Sequence, residues 1–106
     1  MAQGNAVLQI NRRQLGVLTT PVVAWLPTGN FAAAWTDESG RDGAGSGIFG
    51  RLLAADGTPL GRDFLINTTA AGNQHSPAIA AGPGGAVAVW VSEPATTIYA
   101  RRIAAP

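Results

Sequence analysis

The chain has 106 residues, 46% of them hydrophobic and 12% charged, with a formal net charge of +1. No cysteine is present, which excludes a disulfide framework and a thiolate metal site. Seven arginines against six acids are too evenly balanced for a face that binds nucleic acid by neutralising phosphates.

Fourteen glycines and seven prolines argue for tight turns and against long helices. No apolar stretch reaches the ~18 residues of a membrane span, so no membrane insertion is expected. The N-terminus lacks a basic region followed by an apolar core, so no signal peptide is expected.

Taken in chain order, the first predicted strand is Ala6 to Asn11, with Val7, Leu8 and Ile10 apolar. Pro21 to Leu26 is the second, with proline at its start, where a missing N–H costs little. Pro27-Thr28-Gly29-Asn30 turns the chain into a returning strand, Phe31 to Asp37. A glycine-rich loop, Glu38 to Gly47, leads into Ile48 to Ala54. Ala55-Asp56-Gly57-Thr58 is a strong turn signal, and Asp63 to Asn67 closes the unit. Three more strands are expected: Pro77 to Ala81, Ala86 to Ser92 and Thr97 to Ala104, with Gly82-Pro83-Gly84-Gly85 as the first turn between them.

These elements repeat. Asn11 and Asn67, and Pro21 and Pro77, each lie 56 residues apart. Phe31-Ala32-Ala33-Ala34-Trp35 answers Ala86-Val87-Ala88-Val89-Trp90, and Ile48-Phe49-Gly50-Arg51 answers Ile98-Tyr99-Ala100-Arg101. A repeat of this size marks an architecture whose unit cannot bury its apolar face alone. The first unit, 19–67, has four strands and the second, 75–104, has three. The spare strand, 6–11, stands at the front of the chain.

Four-stranded antiparallel units arranged radially are propeller blades. The expected fold is all-β, with two four-stranded antiparallel β-propeller blades per chain and the ring completed by oligomerisation. The strand 6–11 would complete the last blade, most easily in a neighbouring chain. A homotrimer is favoured over a tetramer. Ala32, Ala33, Ala34, Ala78, Ala80, Ala86 and Ala88 suit strands crowded near a central axis.

The segments INTTAAGNQHSPAIAAGPGGAVAVW and SGIFGRLLAADGTPLGRDFLIN resemble the propeller-like repeats, roughly fifty residues long, of large bacterial surface and secreted proteins. The match spans nearly the whole chain. Ser92-Glu93-Pro94-Ala95-Thr96-Thr97 departs from it, standing where those repeats carry a glycine-rich aspartate loop. The resemblance implies an extracellular or cell-surface parent protein. The two-blade plan is also similar to that of oligomeric β-propeller lectins, which implies glycans as ligands.

Six residues are candidates for a carbohydrate site. Trp35 and Trp90 occupy matching places, either to stack on sugar rings or to pack between blades. Arg51 and Arg101 also match, and their guanidinium forks suit hydroxyls or anions, or a structural pairing with Asp37 or Glu93. Gln74 and His75 belong to a polar loop, Gly72 to Ser76, placed just before a strand. That stretch either binds sugar hydroxyls or satisfies its own backbone. Trp25 has no counterpart, because Ala81 holds its place.

Asp37 and Asp42 are a weak calcium candidate on the glycine-rich loop, against a plain solvated loop. Gly45-Ser46-Gly47-Ile48-Phe49-Gly50 matches a dinucleotide fingerprint in letters only, because a strand follows it rather than a helix. Asn67-Thr68-Thr69 is a sequon by pattern alone. No cofactor is implied. A single histidine without a serine or cysteine partner pattern argues against an enzyme. The expected function is non-enzymatic carbohydrate binding, with a structural repeat scaffold as the alternative.

Overall fold

The computed structural model describes residues 7, 9–11, 17–38, 45–67 and 72–104. Seven strands carry these residues: β1 (Leu18–Trp25), β2 (Phe31–Asp37), β3 (Gly47–Leu53), β4 (Phe64–Leu65), β5 (Asn73–Gly82), β6 (Gly85–Glu93) and β7 (Thr97–Ala104). They form two antiparallel sheets, β1-β2-β3-β4 and β5-β6-β7. The unequal duplication, four strands and then three, is therefore present in the fold.

The two sheets follow one plan. Trp35 pairs with Phe49 across β2 and β3, and Trp90 pairs with Tyr99 across β6 and β7. Ala33 opposes Arg51 as Ala88 opposes Arg101. The first strand of each sheet is longer than expected and contains its proline instead of starting with it. Both carry a bulge, between Thr19 and Val22 in β1 and between His75 and Ala78 in β5. Thr20 and Ser76 take matching positive φ values of 50° and 56° at these bulges. A bulge leaves a residue out of the ladder, so Pro21 and Pro77 interrupt no hydrogen bond there and the strand runs through.

Period-2 alternation gives each sheet two faces. In β6 the buried Ala86, Ala88, Trp90 and Ser92 share one face, while Val87, Val89 and Val91 take the other. The Trp90 face lies on the first sheet. There Ala88, Trp90 and Ile103 join Ala34, Ile48 and Ile66 in one cluster, flanked by Val22, Phe64 and Ile79. Leu26 and Ala32 meet Ala86 at the neighbouring end. Gly50 lets Ile66 lie this close, because a Cβ there would stand 2.8 Å from Ile66 Cδ1.

The fourth strand is shorter than the expected Asp63 to Asn67. It is extended by two bonds: Ile66 N donates to Ile48 O at 2.7 Å, and Ile48 N donates to Asn67 Oδ1 at 2.7 Å. The asparagine side chain thus replaces a backbone carbonyl where the chain leaves the sheet.

Two expectations need correction. Gln9, Ile10 and Asn11 lie outside every strand, while Ala6 and Leu8 fall outside the described residues. A strand requires a ladder partner, and Ile10 instead packs on the face of the first sheet that carries Ala33, Trp35, Phe49 and Leu53. Ala78 and Ala80 are exposed, not crowded, because they face away from the first sheet.

Candidate functional site

The sheets meet along a seam that ends in a cluster of polar groups. Ser46 N donates to Asn73 Oδ1 at 3.1 Å, and Ser46 Oγ donates to the Gln74 carbonyl at 2.8 Å. Gln74 N returns a bond to the Ser46 carbonyl at 3.0 Å. Gly72 sits at the entry with φ of 77°, where a Cβ would collide with the Glu93 carbonyl oxygen. The stretch from Asn73 to Ser76 is therefore strand, not loop, and the seam ties its first residues to Ser46.

The expected site residues fall into two groups. Trp35 and Trp90 are 4% and 3% exposed, so neither ring offers a face to a sugar in this chain. Trp90 packs at the junction between the sheets, whereas Trp35 packs on the opposite face of the first sheet with Ala33, Phe49 and Leu53, beside Ile10. Trp90 Nε1 donates to Gln74 Oε1 at 2.9 Å, which places Gln74, also buried, in the core. Among the described residues, the buried Trp35 Nε1 has no partner.

The arginines bind backbone. Arg101 Nη1 donates to the carbonyls of Leu65 and Ile66 at 2.9 and 3.1 Å. Arg51 Nε donates to the Gly61 carbonyl at 2.9 Å, and its Nη1 to the Ile10 carbonyl at 3.0 Å. Its nearby carboxylate is that of Asp63, at 3.8 Å, rather than Asp37 or Glu93. A guanidinium that reaches neighbouring backbone carbonyls in this way fastens the segment that carries them.

His75 is half-exposed, and its polar neighbours are side chains. Its Nδ1 lies 2.8 Å from Ser76 Oγ, and its Nε2 lies 3.4 Å from Glu93 Oε2. Thr96 Oγ1 donates to Glu93 Oε1 at 2.9 Å. The first sheet repeats the motif: Thr19 Oγ1 donates to Glu38 Oε2, also at 3.4 Å. Sequence reasoning passed over Glu38 and Glu93 as ligand-binding residues. The signal was present, since each stands three residues after its tryptophan. Ser76 was also missed as a partner for His75, because the two are adjacent and match no nucleophile spacing.

Glu93 is held below its ordinary value, first by the Thr96 hydroxyl and then by His75. The charged form is thus favoured in the folded chain. Its contribution to stability is present above the ordinary carboxylate range and is lost as pH falls through the lowered value. Thr96→Ala is expected to move the Glu93 midpoint upward, toward the ordinary value, in an NMR titration of the side-chain carboxyl. An unmoved midpoint would show that the hydroxyl does not set it.

At the other end of β1, Trp25 is 63% exposed and meets Phe31 edge-on at 5.4 Å between ring centroids. Asp37 is buried at the end of β2 and Asp42 lies outside the described residues, as do Thr68 and Thr69. Among the described residues, no group of three or more His, Asp or Glu stands ready for a metal ion. No described helix is long and apolar enough to cross a membrane.

This is an all-β chain of two duplicated antiparallel sheets, the Trp90 face of the second stacked on the Ala34 and Ile48 face of the first, with a repeated polar pair at one end of the stack. No family model, curated protein or solved structure matches it.

Proposed function

We propose that the chain is a non-enzymatic binding module, one protomer of an oligomeric β-propeller with repeated, shallow carbohydrate-binding sites. The observation that carries this reading is the repetition of one polar pair at one end of two equivalent sheets, Thr19 with Glu38 and His75 with Glu93. A carboxylate and a neighbouring donor, open to water at the ends of strands, suit the hydroxyls of a sugar. Trp25 adds an exposed ring at the opposite end of β1 for an apolar sugar face. Sites repeated around a ring gain by avidity what each lacks alone. Three copies supply six blades, within the roughly four to eight that propellers use.

The burial of Trp35, Trp90 and Gln74, and the backbone carbonyls held by Arg51 and Arg101, favour a second reading, a structural repeat scaffold of a bacterial surface protein with no ligand of its own. A glycan array separates the two. Under the first reading the array shows bound glycans, and Glu93→Gln reduces that signal at least tenfold, about 1.4 kcal/mol, while the fold is retained. Binding lost only in Trp25→Ala moves the site to the other end of β1. A blank array from a folded assembly sinks the carbohydrate reading and leaves the scaffold.

A further inference from the structure

We infer that a second copy of this chain docks its three-stranded sheet on the Trp35 face, and that Gln9-Ile10-Asn11 completes that sheet as its fourth strand. The inference rests on the assembly part of the reading above and names the contact that the assembly uses.

The internal junction between the two sheets is the template. Ile66, just past β4, packs against Ala88, Trp90 and Ile103 of the following sheet. Arg101 from that following sheet holds the Ile66 carbonyl. One repeat earlier, Ile10 packs against Ala33, Trp35 and Leu53, and Arg51 holds the Ile10 carbonyl. Ile10 and Ile66 are 56 residues apart in matching sequence, and Arg51 and Arg101 match in register. The N-terminal segment therefore sits where the last strand of a preceding sheet belongs, yet β5-β6-β7, the sheet that lacks such a strand, lies on the far side of the first sheet. Only a second copy can bring that sheet alongside Ile10.

The exposed surfaces fit this placement. Val87 and Ile98 are 41% and 64% exposed on the outer face of the second sheet. Their counterparts in the first sheet, Ala32 and Ile48, are buried at the internal junction. On the receiving side, a cleft of about 470 Å³ opens beside Ile10, Leu18, Val23, Phe31 and Trp35. The same region of the second sheet is filled by the first. Among the described residues no strand pairs with the outer edge of β7, which carries the Ile98 N–H, the counterpart of the Ile48 N–H that Asn67 Oδ1 accepts. Asn11 stands in the place of Asn67 and would cap Ile98 of the second copy. The contact is head to tail, so it closes a ring or grows a filament according to the rotation between copies.

In β4 and β3, Leu65 pairs with Phe49. The corresponding pair between copies is Gln9 with Tyr99. The chain has no cysteine, so Gln9→Cys with Tyr99→Cys provides a clean report. Light scattering of the unmodified chain is measured first, then the double variant is oxidised and run on a non-reducing gel. Disulfide-linked dimers and larger species that collapse to 10.8 kDa on reduction are the expected result. Assembly without a cross-link, or with a disulfide confined to one chain, overturns the strand addition and leaves the ring reading standing. A monomeric unmodified chain overturns both. Ala100→Pro is the second arm, because the Ala100 N–H corresponds to one that faces the fourth strand. A folded variant by circular dichroism is expected to run as a monomer, and one that keeps the parent mass overturns the proposal.

Discussion

Trp90→Ala is expected to cost about 3–5 kcal/mol, the range for truncating a buried aromatic side chain in a packed core. Natural domains hold only roughly 5–15 kcal/mol in total, so this single change takes a large share of the stability. The ring lies at the centre of the junction, in one cluster with Ala34, Ile48, Ile66, Ala88 and Ile103. Its removal opens a cavity between two sheets that share no strand ladder. It also strips Gln74 of its indole donor in a fully buried position. Chemical denaturation followed by far-UV circular dichroism gives the number. The control is Trp25→Ala, where a largely exposed ring with one edge-on partner is expected to lose less than about 1.5 kcal/mol. Equal losses for the two tryptophans would mean that the sheets are not held together through the Trp90 face.

Asn67→Ala is expected to cost about 1–3 kcal/mol, because it leaves the buried Ile48 N–H without its acceptor. The loss is larger than that of an ordinary surface bond because water does not reach the site. Asn67 is 1% exposed, and Ile48 is fully buried. Hydrogen exchange gives a local check. The Ile48 amide is expected to exchange faster, while amides in β5 and β6 keep their protection. If Ile48 exchange is unchanged, another group holds that amide and the side-chain extension of β4 is wrong. Asn11 stands in the place of Asn67, so Asn11→Ala is expected to weaken assembly, read by light scattering as a fall in mass.

Much of the architecture was legible in the letters. Phe31 to Asp37 and Thr97 to Ala104 coincide with β2 and β7, because each is bounded by turn residues and carries strand-forming side chains. The paired tryptophans, arginines and prolines reported two equivalent sheets. The ends of β1 and β5 were not legible. A proline normally opens a strand, and only the bulge allows it inside one. The site was legible in part. His75 lies at a polar end of the seam, but the carboxylate beside it comes from 18 residues away, on another strand.

The sequence by itself determined a duplicated all-β chain with four strands, then three, and a spare segment in front. Those properties follow from alternation, turn chemistry and the repeat, which are local. Only the tertiary structure decided which way the tryptophans point. Alternation assigns residues to two faces without saying which face meets another sheet, and here the face that bears Trp90 is the covered one. The same packing decided the work of Arg51 and Arg101, since an arginine's role depends on which carbonyls come within its reach. The carbonyls it meets, those of Ile10 and Ile66, belong to segments that no local rule connects to it.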